Sequence, residues 1–374
     1  MSMMMGCSLQ LRLPPSPPPT LCYSSYSFLL PTTAAKSPTS RCYGSSSTSS
    51  AAARKKGEQV KAVLQSAAAQ KPEKEDEDEE DFQVLTAIKT VYNHILILDT
   101  PKSRLLLLDS TRIIPHSLLN FLLLLFSTLT SHSVADADNV HSMLNKGTKW
   151  TGSYWDEFAT LPPLLPQGPI AIFGLGGGTS AHLMLDLWPS LQLEGWEIDE
   201  ILIDKSRDYL GLCDLEKHTA DGGVLNIHIG DAFSPDAAIS GGYAGIIIDL
   251  FAEGKVLPQL EQAATWLELY DRLMPNGRLM VNCGAGEDSL TANNAESQHD
   301  GSSIDGTWKL NATIRALCEA FPGQVNWKKM PQSACENYLA LTGSLPDLCT
   351  WSDALPKELK SSVIQWRACN IHDR

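Results

Sequence analysis

Between Gly168 and Asn282, short apolar runs alternate with amphipathic segments, and a glycine cluster sits at the first junction. No other feature limits so strongly what this chain can fold into. The runs at Pro169 to Phe173, Leu191 to Ile198, Val224 to Ile229, Ala244 to Asp249 and Arg278 to Asn282 read as buried strands. The spacing predicts helices over Thr179 to Leu187, Asp199 to Leu210 and Leu257 to Leu273. Strands alternating with helices build a parallel sheet covered on both faces. Beyond them, a helix is expected around Trp308 to Phe321, then two short strands at Gln324 to Trp327 and Asn337 to Leu341. Their connection is too short for a crossover helix, so they read as an antiparallel hairpin.

The N-terminal part has a different character. The first acidic residue is Glu58, and the Ser-, Pro- and Thr-rich segment before it carries only the basic residues Arg12, Lys36, Arg41, Arg54, Lys55 and Lys56. Residues 1–56 therefore read as a transit peptide, which implies a plastid protein of the chloroplast stroma. Its removal takes away six positive charges and no negative ones, moving the formal charge from −14 to −20. No basic stripe remains for a polyanion, so nucleic acid is not an expected partner. Residues 57–83, with the acidic run Glu73 to Asp81, read as a solvated linker.

A small N-terminal β-domain is expected over 84–165, opening with a hairpin of Thr90 to Leu98 and Arg104 to Asp109. A Leu-rich stretch near 113–138 interrupts it and reads as a local insertion. A helix over Leu118 to Phe126 would span about 14 Å against a hydrocarbon core of about 30 Å, so no membrane span is expected. The nucleoside-binding domain follows over 166–345, with a C-terminal extension over 346–374. The nine cysteines include no C-x-x-C pair and no Cys/His set at metal spacing, and no metal is expected.

The candidate site residues fall at strand ends. Gly174-Leu175-Gly176-Gly177-Gly178-Thr179 carries a strand into a helix, and a glycine turn there lets a ligand approach backbone N–H groups. Either a dinucleotide or S-adenosylmethionine (AdoMet) uses such a turn, although Thr179 stands where the dinucleotide fingerprint has its third glycine. Glu197 ends the next strand, where a carboxylate accepts hydrogen bonds from ribose hydroxyls. Asp231 and the small Ala232 follow the third strand, suited to an adenine amino group. Asp249 ends the run Gly245 to Ile248. Acidic groups gathered on one sheet edge suit a sulfonium better than a pyrophosphate. Tyr154 and Trp155 read as core or interface packing, with the wall of an acceptor pocket as the alternative.

In this order the motifs resemble the spermidine-synthase-like (polyamine aminopropyltransferase-like) branch of class I AdoMet-dependent transferases. The resemblance runs from Tyr92-Asn93-His94-Ile95-Leu96 through Asp156-Glu157-Phe158, the glycine cluster, Glu197-Ile198-Asp199, Gly230-Asp231-Ala232 and Ile248-Asp249-Leu250-Phe251 to Pro275-Asn276-Gly277-Arg278. It implies a Rossmann-like α/β fold, a seven-stranded class I AdoMet-binding sheet behind a small N-terminal β-domain. It also implies AdoMet or decarboxylated AdoMet as co-substrate and Asp249 as the catalytic base. Polyamine synthases carry acidic residues where this chain has Thr179 and Ala252. The expectation is therefore methyl transfer from AdoMet to a small molecule, with aminopropyl transfer and a non-catalytic binding role as alternatives. The partners expected are a small-molecule acceptor and a second copy of the chain in a homodimer.

Overall fold

A computed structural model describes residues 82–109, 140–286, 304–331 and 337–369, all within one compact unit. The expected transit peptide, most of the acidic linker and the Leu-rich insertion lie outside the described residues.

Four antiparallel strands in sequential order form the small sheet: β1 (Gln83–Lys89), β2 (His94–Asp99), β3 (Ser103–Asp109) and β4 (Val140–Asn145). The hairpin expected from Thr90 is shorter at its start, because Thr90 to Asn93 form a turn. The Thr90 hydroxyl accepts from the Tyr92 and Asn93 N–H groups at 3.0 and 2.9 Å, and this local bonding outweighs the β-propensity of Val91 and Tyr92. Thr90 Oγ1 also donates to Asp199 Oδ2 at 2.6 Å, tying the turn to the large domain.

The second sheet has the order β14-β12-β13-β11-β8-β5-β6-β7. Its strands are β5 (Ile170–Phe173), β6 (Gln192–Glu197), β7 (Val224–Ile229), β8 (Tyr243–Ile248), β11 (Leu273–Ala285), β12 (Val325–Lys329), β13 (Asn337–Thr342) and β14 (Arg367–Ala368). The two-residue strands β9 (Phe251–Ala252) and β10 (Lys255–Val256) pair separately. Strands β7, β6, β5, β8 and β11 are parallel, and β13 runs antiparallel between β11 and β12. This is the Rossmann-like order and reversed hairpin that the resemblance implies. Residues Ile246, Ile247 and Ile248 are wholly buried, as expected of a strand covered on both faces.

The sheet has one strand more than the seven expected. The segment expected as a C-terminal extension folds onto the domain as α7 (Leu348–Asp353), α8 (Lys357–Val363) and the edge strand β14. Its Trp351 and Trp366 are each 2% exposed, and the Trp351 indole donates to Thr160 O at 2.8 Å. The earlier helices are α1 (Tyr154–Phe158), α2 (Thr179–Leu187), α3 (Glu200–Tyr209), α4 (Leu212–Leu215), α5 (Ala263–Tyr270) and α6 (Ala312–Ala320). The helix expected over Leu257 to Leu273 is broken by the extended Gln262, and Leu273 pairs with Tyr243 in the sheet.

Core residues divide between the two sheet faces. Ile95, Ile97 and Leu106 of the small sheet join Trp155, Phe158 and Ile170 in one cluster, while Phe173, Ile248 and Trp266 lie in the other. After β7 the chain returns to β8 on the opposite side of β5. A reversal of this kind opens a crevice at the carboxyl ends of the two strands.

Candidate functional site

The crevice lies where Gly174 follows β5 and Asp249 follows β8. Gly174 has φ +85°, and a Cβ there would stand 2.2 Å from the Asp249 carbonyl oxygen, so no larger residue fits between the strand ends. The rest of the glycine turn is bonded within the protein. The Gly174 and Leu175 N–H groups both donate to Trp196 O at 3.0 Å, and Gly178 N–H donates to Leu175 O at 3.0 Å. Gly176 N–H donates to Glu197 Oε2 at 3.0 Å, and Gly177 N–H to Ser142 Oγ of β4 at 2.7 Å. These bonds hold the turn against β6 and β4.

Thr179 belongs to the same junction. Its hydroxyl accepts from Met143 N–H at 2.7 Å and donates to Met143 O at 3.1 Å, so it joins α2 to β4. The side chain is buried, at 6% exposure. Ser142 and Met143 were not anticipated. A short strand of mixed polarity gives no clear periodic signal, and their role depends on β4 lying against the glycine turn.

Glu197 is half-buried at the end of β6. Besides Gly176 N–H, it accepts from the Ile198 and Asp199 N–H groups at 3.0 and 3.2 Å, both on Oε1. Burial raises its pKa above the ordinary carboxylate value against the pull of these three donors. Oε2 accepts a single bond and keeps a lone pair for a hydroxyl. Ile198 beside it is 40% exposed, an apolar surface at the crevice edge. Asp231 is exposed and accepts from Phe233 N–H at 2.9 Å, while Ala232 is buried and its carbonyl accepts from Arg272 at 2.7 Å.

Asp249 has another kind of environment. Asn282 Nδ2 donates to its Oδ1 at 2.9 Å and Tyr154 Oη donates to its Oδ2 at 3.2 Å, while the nearby Trp155 indole also favours the charged form. Burial pushes its pKa up to about 6 despite these donors, and no cation among the described residues contributes. Tyr154 reaches it because α1 is held at both ends. Asp156 accepts from the Thr151 and Gly152 N–H groups at 3.0 and 2.9 Å, and Glu157 forms a buried ion pair with Lys328 of β12 at 2.7 Å. The sequence expectation of core packing for Tyr154 and Trp155 thus covers part of their role. Asn282 could have been found from the rule that strand carboxyl ends build the site, since Val281 aligns with Ile248 in β11 and β8.

These residues suit an adenosyl sulfonium. An acidic edge, an apolar surface at Ile198, a small Ala232 and a carboxylate without a cationic partner are complementary to a cationic nucleoside. Fold and motif order are similar to those of class I AdoMet-dependent transferases of the spermidine-synthase-like branch. A probable polyamine aminopropyl transferase of Bifidobacterium longum is 25% identical over 203 residues, which is 52% of this chain and 43% of that protein. The chain thus spans less than half the length of that relative. No protein-family model matches. Among solved structures, a spermidine synthase in complex with the transition-state analogue AdoDATO is 16% identical, with a TM-score of 0.43 over 70% of this chain and 72% of that one. A probable spermidine synthase of Corynebacterium glutamicum is 16% identical, with a TM-score of 0.47 over 76% of this chain and 89% of that one.

Proposed function

We propose that this protein is a transferase that binds an adenosyl sulfonium and passes its aminopropyl group to an amine, with Asp249 holding the ammonium and accepting its proton. The observation that carries this reading is Asp249 itself: a partly enclosed carboxylate whose known partners are all neutral donors. A buried anion without a counter-ion favours a cation in its place. With a pKa of about 6, Asp249 is ionised at neutral pH, when an alkyl amine of pKa about 10.4 arrives protonated. The carboxylate takes one proton from the ammonium, and the lone pair so freed attacks the carbon beside the sulfonium as the C–S bond breaks. The sulfonium co-substrate supplies an electrophilic carbon and a neutral thioether leaving group. Glu197, Ile198 and Ala232 are the residues that would hold its ribose and adenine. Similarity to the probable polyamine aminopropyl transferase of Bifidobacterium longum supports the same chemistry.

A second reading, methyl transfer from AdoMet itself, is favoured by one position. Thr179 brings no carboxylate to hold an aminopropyl ammonium or to repel the carboxylate of AdoMet, and its hydroxyl is engaged with Met143.

Calorimetry on the full chain with decarboxylated AdoMet, AdoMet, 5′-methylthioadenosine and NAD separates these readings. The proposal expects decarboxylated AdoMet to bind most tightly. Tighter binding of AdoMet would move the function to methyl transfer, and binding of NAD without either sulfonium would reject both.

A further inference from the structure

Asn282 is 1% exposed, and its two amide atoms have partners of opposite kinds. Nδ2 donates to Asp249 Oδ1 at 2.9 Å, whereas Oδ1 accepts from Gly284 N–H at 3.1 Å and from Asn337 Nδ2 at 2.8 Å. A backbone N–H can only donate, so the Gly284 contact fixes which way round the amide lies. Asn337 reinforces it from β13, where it sits opposite Ala285 of β11. The bonds therefore run in one direction, from Asn337 to Asn282 to Asp249, across the ends of three neighbouring strands.

We propose that Asn282 and Asn337 are positioning residues, a two-amide relay that keeps the Asn282 donor turned toward Asp249, so that its remaining acceptor capacity selects a protonated amine over an anionic acceptor. The inference rests on the role given to Asp249 above and extends it to residues that touch no substrate. A donor that cannot turn stabilises the carboxylate and not the carboxylic acid, and so opposes the rise in pKa caused by burial. Among the described residues, the groups facing Asp249 are Tyr154 and Trp155 from α1 and Asn282 from β11, with Tyr154 the one titratable member. Loss of the relay leaves that group in place and removes the fixed donor.

The test is a carbon-13 titration of the aspartate carboxyl groups in the full chain, without substrate, with the Asp249 signal assigned by its loss in Asp249→Asn. Asn282→Ala is expected to raise the Asp249 midpoint by about one unit, a tenfold fall in its ionisation constant. Asn337→Leu is expected to raise it by about half a unit, and Asn337→Gln, which keeps an amide donor, by less than half as much as the leucine variant. An unchanged or lowered midpoint in Asn337→Leu, or an equal rise in Asn337→Gln, overturns the relay. If Asn282→Ala does not fold, the Asn337 pair decides, because that side chain is only half-buried. The readout needs no turnover: shifted midpoints in a chain that transfers no aminopropyl group to an amine would keep the relay and reject the proposed function.

Discussion

Glu197 and Asp249 each lie at the carboxyl end of a parallel strand, and burial raises the pKa of both, yet they are held in different ways. Glu197 accepts only from backbone N–H groups of its own junction and the glycine turn. Asp249 accepts from side chains on α1 and β11. Backbone donors cannot rotate away, whereas a phenol hydroxyl can turn from donor to acceptor. Glu197 therefore helps to hold the glycine turn together, while the charge of Asp249 is a cost to stability that its chemistry requires.

Neutral isosteres should separate the two most sharply. In Glu197→Gln, the new NH2 group must face at least one backbone N–H and a charge-assisted bond is lost, offset in part by relief of the buried charge; about 2 kcal/mol of stability should disappear in urea unfolding at neutral pH. A gain in stability would break the contrast. Asp249→Asn should act in the opposite direction. A native pKa of about 6 against an ordinary 3.8 means that the folded chain binds the proton more tightly than the unfolded one between those values. Stability is then lost as pH rises through that window, by about 3 kcal/mol in full. The asparagine should recover about 2 kcal/mol at pH above 7, since Asn282 still meets an oxygen and Tyr154 can turn, while the imperfect fit of the amide keeps the gain below the full amount. Below about pH 4 the gain should vanish. A gain that persists in acid would assign it to packing and not to the charge. The smallest effect should come from Ser142→Ala, which leaves Gly177 N–H without its acceptor and should cost about 1 kcal/mol, read by the same unfolding.

The same division between local and distant partners explains what the sequence made legible. The alternation from Pro169 to Asn282 identified the parallel strands, because a run such as Gly245 to Ile248 is apolar on both faces. The glycine turn, Glu197 and Asp249 followed from their places at strand ends. Their partners were less visible. Ser142 and Met143 act only because β4 lies against the glycine turn, and Asn337 acts only because an antiparallel strand returns beside β11. Thr179 could be read as an uncharged position, but its engagement with Met143 is a tertiary contact. The β14 edge strand was missed for a related reason: a two-residue strand has no period, and the buried Trp351 and Trp366 reveal its attachment only when folded.

The central claim is that Asp249 takes the proton from the attacking amine. The most direct test measures transfer from decarboxylated AdoMet to a diamine by the full chain and by Asp249→Asn, at a neutral pH where the variant is at least as stable. The account predicts transfer by the unaltered chain and a loss of about a hundredfold or more in the variant, the share expected of a general base. Equal transfer by both chains would contradict it.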